Sequence, residues 1–293
     1  MDIATNCICC DATTLVATPA VLMPFVAKRA FGWEPVEITP EWGMRDLRPG
    51  HAYSVCNTLR CAVCGVVFVD IRFNERELSA LYRNYRDEAY TALRERFEPG
   101  YRSRNDLLVA GSTYLGAVEA FLLEHMPVPS RLLDWGGDTG LNSPFAGRLR
   151  VHDVYDISLK PAIDGAVRVA NDALAPGAYD LIVCSNVIEH VPYPLQTIEL
   201  VVRLMTNETW FYLEVPYEDV IRAADLPDAA VVDKKHWHEH INFFTPRSLE
   251  ALLVRAGLDV IDTTLLSVSA GGKDANAIGL LCRRARYTAA ADG

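Results

Sequence analysis

Two Cys-x-x-Cys pairs, Cys7/Cys10 and Cys61/Cys64, stand in the first quarter of the chain. Each pair brings two thiolates onto one turn, where they suit two corners of a tetrahedron around Zn²⁺. Gly65, just after the second pair, allows the tight knuckle that such a turn needs. A single pair would constrain little. Two pairs commit the front of the chain to a metal-stapled module, although the gap of about fifty residues between them is longer than in compact ribbons. Cys9 and Cys56 compete for the ligand positions. Cys184 and Cys282 fall in apolar, strand-like runs and read as small core residues. Reduced structural cysteines or a redox pair are the alternatives to zinc. Four thiolates fill a tetrahedral shell, so a metal at Cys7, Cys10, Cys61 and Cys64 is expected to be structural, not catalytic.

The bulk of the chain narrows its partners. The formal net charge is −10, a poor match for a phosphate backbone, so no nucleic-acid partner is expected. No apolar run reaches the ~20 residues that span a bilayer. The longest candidate, Leu15 to Phe31, is interrupted by Pro19, Pro24, Lys28 and Arg29. No basic start leads into an apolar core, so no secretory signal is visible and the cytoplasm is the expected place. There, cysteines seldom pair as disulfides. The oligomeric state cannot be read from the sequence.

Three parts are expected: residues 1–73 as the zinc-binding region, 74–128 as a helical connector, and 129–293 as an α/β domain. Residues 15–55 show no clear period and read as an insertion or a lid. Leu78, Leu81, Tyr82 and Tyr85 share one helical face, and Asn74 with Glu77 offers a capping-box pair. A second helix is expected over Asn105 to His125, ending at Pro127 and Pro129. Beyond it, candidate strands cover Arg131–Trp135, Val151–Tyr155, Val167–Ala170, Leu181–Cys184, Trp210–Val215, Val260–Ser267 and Ile278–Cys282. Candidate helices lie around 141–147, 193–206 and 246–256. Alternation of this kind makes a mostly parallel sheet covered on both faces.

The run Leu132-Leu133-Asp134-Trp135-Gly136-Gly137-Asp138-Thr139-Gly140 follows an apolar strand and precedes a helix candidate. That context makes it a nucleotide-binding turn. Asp156 ends the next strand, where a carboxylate can hydrogen-bond a ribose diol. Asn171-Asp172 ends the third, where an adenine amino group can be read. For Asp156 and Asp172 the plainer alternative is a turn carboxylate.

These residues, together with Tyr179-Asp180-Leu181-Ile182-Val183-Cys184-Ser185-Asn186-Val187-Ile188-Glu189-His190-Val191, resemble the class I S-adenosylmethionine-dependent methyltransferases. Phe243-Phe244-Thr245-Pro246-Arg247-Ser248-Leu249 is similar to a segment many of them carry before the sixth strand. The front, Arg60-Cys61 through Phe68 with Leu78, Leu81, Tyr82 and Tyr85, resembles the zinc-binding region of a bacterial subfamily acting on sugars and other small metabolites. The resemblance implies a Rossmann-like seven-stranded α/β sheet behind a small zinc-binding domain. It implies S-adenosylmethionine over Asp134, Gly136, Gly137, Asp138, Gly140, Asp156, Asp172, Ser185 and Asn186, and a small-molecule acceptor. One departure stands out: Asp138 replaces the usual second glycine of the turn, either meeting the cofactor's amino group or weakening its binding.

His-Trp-His-Glu-His at 236–240 is the densest titratable run. It follows the fifth strand, where such enzymes build the acceptor pocket. Histidine titrates near working pH, as a general base must. His240 is the expected base with Glu239 as its orienting partner, and His190 is the reserve. Alternatives are a His190 that packs on the cofactor and a metal site made by the alternating His236, His238 and His240, which an extended strand would put on one face. His238-Glu239-His240 and Ser269-Ala270-Gly271-Gly272 resemble segments of bacterial sugar C-methyltransferases. Trp237 stands where that group often has tyrosine, and its long C-terminal domain does not follow here. O- and N-methylation therefore stay open beside C-methylation. The competing reading is a zinc-bearing binding protein whose methyltransferase-like domain has lost catalysis.

Overall fold

The computed structural model describes residues 1–43, 47–109, 112–158, 160–224, 234–270 and 273–285. The front of the chain runs β1 (Asp2–Ile3), β2 (Leu15–Leu22), α1 (Pro24–Phe31), β3 (Val36–Ile38), β4 (Gly50–Ala52), β5 (Val55–Cys61), β6 (Val67–Val69) and β7 (Ile71–Arg72). Helices α2 (Glu75–Tyr82), α3 (Glu88–Phe97), α4 (Tyr101–Val109) and α5 (Leu115–Leu123) follow. The remainder is β8 (Arg131–Trp135), β9 (Val151–Tyr155), β10 (Val167–Arg168), β11 (Leu181–Ser185), α6 (Pro194–Leu204), β12 (Trp210–Pro216), α7 (Asp219–Ala224), β13 (His236–Trp237), β14 (Asn242–Phe243), α8 (Pro246–Arg255), β15 (Leu258–Ala270) and β16 (Lys273–Arg284).

Seven strands form one sheet in the order β10-β9-β8-β11-β12-β16-β15. Pairings from β10 to β12 are parallel, and β16 is antiparallel to both its neighbours. The order reverses between β8 and β11, so a crevice opens at the C-terminal ends of those two strands. The glycine turn leaves β8 and the Asn186–His190 segment leaves β11, both at this crevice.

A second sheet, β13-β2-β5-β6-β14, is built mostly from the cysteine-bearing front. Two of its strands come from the 236–243 segment, so the run of histidines begins in this sheet at His236 and ends with His240 beside Glu189 and His190. The segment read as an insertion or a lid in fact supplies β2, which pairs with β5 along its length. Pro19 is compatible with a strand there because β13 covers only Val21 and Leu22 on the other side, leaving the missing N–H of Pro19 at an open edge.

Local signals account for several helix starts. Glu77 N–H donates to Asn74 Oδ1 at 3.0 Å, and Glu77 Oε2 accepts the Asn74 N–H at 2.9 Å, closing the expected capping box. Asp87 caps α3 through the Tyr90 N–H at 2.7 Å. Pro194 and Pro246 open α6 and α8 in the first turn, where the missing donor costs nothing. Two expected helices differ. Asn105–His125 is not continuous: α4 ends at Val109 and α5 begins at Leu115, with 110–111 outside the described residues. Residues 141–147 form turns, not a helix. Phe145 sits there at φ 63° and Gly147 at φ 78°, and a right-handed helix admits neither. Fully buried Phe145 is held by its N–H donating to Glu119 Oε1 at 2.6 Å.

A buried arginine locks the two sheets together. Arg72, 1% exposed, donates from Nη1 to Pro192 O at 3.0 Å and to Asn242 Oδ1 at 2.9 Å. It also donates to Val69 O and Ile71 O. Burial pushes its guanidinium pKa down to about 9. Asn242 Nδ2 in turn donates to Ile188 O at 2.9 Å and Val191 O at 2.7 Å. The segment carrying Glu189 and His190 is thereby fixed against the segment carrying His240.

Candidate functional site

The four pair cysteines converge. One sulfur from each of Cys7, Cys10, Cys61 and Cys64 lies within 4.8 Å of the others. Cys7 and Cys64 sulfurs are 3.5 Å apart, and those of Cys10 and Cys61 are 3.6 Å apart. Bonds of ~2.3 Å in a tetrahedral zinc site put sulfurs roughly 3.8 Å apart, so the foursome fits Zn²⁺. Backbone amides of Cys9 and Cys10 point at Cys7 Sγ, and those of Val63 and Cys64 at Cys61 Sγ. Cys9 and Cys56 stay outside the foursome. Cys184 and Cys282 are fully buried core residues. The knuckles are fastened to the large sheet's cover: Thr245, the N-cap of α8, donates to Cys64 O at 2.9 Å, and Arg255 donates to Cys9 O at 2.6 Å.

At the crevice, the glycines of the turn are demanded by their neighbours. A Cβ at Gly137 would stand 2.3 Å from the Asp134 carboxyl. One at Gly136, which also has φ 81°, would stand 2.3 Å from Val187. Asp134 is buried and accepts from Ser143 Oγ at 2.5 Å, and Ser143 Oγ also meets His152 Nε2 at 2.7 Å. Burial pushes the Asp134 carboxyl up to about 6, with the Asp156 and Glu214 carboxylates adding to it.

Asp156 follows β9 and accepts the Asp138 N–H at 3.0 Å and the Ser158 N–H at 2.6 Å. Each of its oxygens keeps a free lone pair for a diol. Asp138 occupies the left-handed region at φ 52°, which aspartate tolerates better than most residues. Its carboxylate is drawn aside by Lys160 Nζ at 3.0 Å and Ser158 Oγ at 3.1 Å. Asp172 is exposed in a 3₁₀ turn, Asn171–Ala173, three residues beyond the end of β10, which is shorter than the expected third strand. Ser185 ends β11, and Asn186, at φ 56°, donates from Nδ2 to Glu214 Oε1 at 3.2 Å. Glu214 was not singled out in the sequence. It is buried, pushed up by that burial, and also accepts from Tyr114 and Tyr212 hydroxyls at 2.6 and 2.7 Å.

Beside this crevice lies a histidine–carboxylate cluster. His190 and His240 meet edge to face, ring centroids 4.6 Å apart. His240 Nδ1 is 3.0 Å from Glu218 Oε1. Glu239, expected to orient His240, instead takes Arg94 Nη2 at 2.6 Å, and Arg94 Nε also reaches Glu98 at 3.2 Å. Burial pushes the Glu239 carboxyl up, but Arg94, His240 and His190 outweigh it and hold it at about 2. His190 Nδ1 meets Tyr82 Oη at 3.0 Å and Glu239 O at 3.1 Å. Burial, with His240 beside it, pushes His190 down to about 3, so it is neutral at working pH. Burial works against the His240 imidazolium too, yet Glu218, Glu189 and Glu239 together keep its pKa above the ordinary value. The alternating histidines do not share a site: His236 and His238 face each other at 5.6 Å, while His240 joins Glu189 and His190. Trp237 is fully buried, donating to Thr58 Oγ1 at 2.9 Å. Gly271 and Gly272 of the Ser269–Gly272 segment lie outside the described residues.

The Arg94–Glu239 pair carries a pH prediction. A carboxyl lowered by folding stabilises the fold above its unfolded pKa, and that contribution is lost as pH falls through the folded value. The contribution of Glu239 is therefore present above ordinary carboxylate pH and disappears between about pH 4.5 and 2. Glu239→Gln should be less stable than the parent at pH 7, with the gap narrowing as pH falls through that window in denaturant melts. A gap unchanged from pH 7 to pH 3 would contradict the pairing.

A family model described as "Methyltransferase domain" matches residues 82–263. The chain is 25% identical over 121 residues to the ubiquinone biosynthesis O-methyltransferases of Burkholderia pseudomallei and Burkholderia mallei, covering 39% of this chain and 52% of each of those proteins. It thus spans about half the length of the curated relatives it matches. Among solved structures, the 1,6-didemethyltoxoflavin-N1-methyltransferase of Burkholderia thailandensis, with bound 1,6-didemethyltoxoflavin and S-adenosylhomocysteine, is similar in fold. It shows a TM-score of 0.50 at 17% identity, covering 77% of this chain and 97% of that one. With a match across more than half of its residues and a seven-stranded sheet ending in an antiparallel pair, this chain belongs to the methyltransferase-domain family.

Proposed function

We propose that the protein transfers a methyl group from S-adenosylmethionine to a small-molecule acceptor, a sugar, nucleotide-sugar or secondary metabolite. The accepting atom is oxygen, carbon or nitrogen. One observation carries this reading: carboxylates crowd the crevice around the glycine turn. Asp134, Asp138, Asp156 and Glu214 all stand there, and Asp134 is pushed up by burial and by two of the others. A ligand carrying positive charge relieves that crowding, whereas a nucleotide polyphosphate aggravates it.

S-Adenosylmethionine supplies an electrophilic methyl on a sulfonium, and the displacement needs little beyond alignment and, where the acceptor carries one, loss of a proton. The chain's residues supply the alignment. Asp156 offers acceptors to the ribose hydroxyls. Asp134, held by Ser143, and Glu214, held by two tyrosines, present fixed negative charge to the cationic end. Asp138 is drawn toward Lys160, which leaves the turn's backbone free for close approach. Glu189, His190 and His240 form the face that meets and activates the acceptor, with Tyr82 and Glu218 setting the histidine rings.

Asp156→Ala should weaken S-adenosylhomocysteine binding by ~1.5–3 kcal/mol, roughly ten- to hundredfold, since an ionised hydrogen-bond acceptor is lost. Calorimetry is the measurement. Unchanged affinity in the variant would contradict the placement, and no binding by the parent chain would favour a domain that has lost catalysis.

A further inference from the structure

Glu189, His190 and His240 converge beside the crevice, and with both imidazoles neutral no donor among the described residues reaches the Glu189 carboxylate. Two oxygens meet His190 Nδ1: the Glu239 carbonyl at 3.1 Å, which can only accept, and the Tyr82 hydroxyl at 3.0 Å, which can accept or donate, so a proton on that nitrogen serves both. The Glu218 carboxylate, 3.0 Å from His240 Nδ1, imposes the same tautomer there. With both rings neutral, both Nε2 atoms are left with lone pairs. Glu189 is 1% exposed, and neither of its carboxylate oxygens has a hydrogen-bond partner among the described residues. Its Oε1 lies 3.8 Å from His190 Nε2. One ligand atom from each of Glu189, His190 and His240 lies within 4.8 Å of the other two. Burying an unpaired carboxylate is costly, and a cation at its centre removes that cost.

We infer that Glu189, His190 and His240 hold a divalent transition-metal ion whose open positions face the acceptor. The outer partners match what metal-bound imidazoles carry: a carboxylate on one Nδ1–H and a backbone carbonyl on the other. Two imidazoles and one carboxylate suit Mn²⁺, Fe²⁺, Co²⁺ or Zn²⁺ better than Mg²⁺ or Ca²⁺. The two ligand-bearing segments are set in advance. The Ile241 and Asn242 amides both donate to Glu189 O, at 2.8 and 3.1 Å, and the Asn242 side chain clamps Ile188 and Val191. The neighbouring Glu98, His238 and Glu239 group is different, because the Arg94 guanidinium already serves as its cation.

The role of this site rests on the methyltransferase reading: an ion there orients and polarises a hydroxyl or keto oxygen of the acceptor. In that state His240 is a ligand and takes no proton. Binding of the ion can be tested without an acceptor. The full chain, loaded with zinc at its cysteines, is titrated with Mn²⁺, reading free Mn²⁺ by electron paramagnetic resonance. S-Adenosylhomocysteine binding is measured in parallel and reports on the methyltransferase reading separately. The expected result is one Mn²⁺ site per chain, abolished in Glu189→Gln and in His240→Ala, and weakened ten- to hundredfold in Glu218→Gln. Retained cysteine-bound zinc and an unchanged circular dichroism spectrum serve as the folding control. If either ligand variant fails it, Glu218→Gln decides. No Mn²⁺ uptake by the parent chain at millimolar metal would overturn the site. So would uptake that is unaffected in every folded variant.

Discussion

Replacing Cys61 by Ser is expected to strip the chain of stoichiometric zinc and to loosen its whole front. In zinc-finger peptides the bound metal contributes ~10–16 kcal/mol, and that binding energy is folding energy. The loss should spread beyond the knuckles, because Cys64 O and Cys9 O are anchored to α8 through Thr245 and Arg255. Cys61 and Cys64 also lie in the same apolar core as Leu249, Leu252 and Leu253 of that helix. Elemental analysis of fresh protein and thermal melts check this. A parent chain without zinc, or a variant that melts with the parent, would sink the idea.

His240→Ala is expected to remove most turnover while leaving cofactor affinity nearly intact. Loss of a general base typically costs ~10²–10⁴ in rate, and loss of a metal ligand at the acceptor face belongs in the same range. His240 makes its side-chain hydrogen bond to Glu218, and its ring packs against His190. Labelled S-adenosylmethionine with a panel of nucleotide-sugars and related metabolites gives the assay. If turnover survives within a few-fold and only cofactor affinity falls, His240 is a structural residue.

The strands of the large sheet were legible because their signals are local. Arg131–Trp135 and Val151–Tyr155 appear with the expected bounds. Leu132, Leu133, Leu181, Ile182 and Val183 are buried almost completely, as strands covered on both faces require. The Asn74 and Glu77 cap was legible for the same reason: its two bonds span three residues. The absent helix at 141–147 was not legible, since Phe145 takes its conformation from a buried pocket and from Glu119, twenty-six residues earlier. Strand β2 was hidden behind Pro19, which argues against a strand until the partial cover by β13 is known.

At the candidate site, residue types were readable and their partners were not. Asp134, Asp156, Glu239, His190 and His240 stand out by motif and composition. Yet Glu239 pairs with Arg94 across 145 positions, and His240 pairs with Glu218 across 22. Glu189 sat inside a recognised motif with nothing to mark it, because an unsatisfied carboxylate is defined by its surroundings.

By itself, the sequence determined the four-cysteine set, the strand segments of a mostly parallel sheet and the place of the glycine turn. Each is written in short-range spacing or in the burial pattern of a single element. Only the tertiary structure decided that 236–243 crosses over to complete the front sheet, that a buried arginine binds the two sheets together, and that Glu189, His190 and His240 meet. Those contacts join segments far apart in the chain. Their energies come from desolvation and from hydrogen bonds that exist only once both segments are packed, so no local pattern announces them.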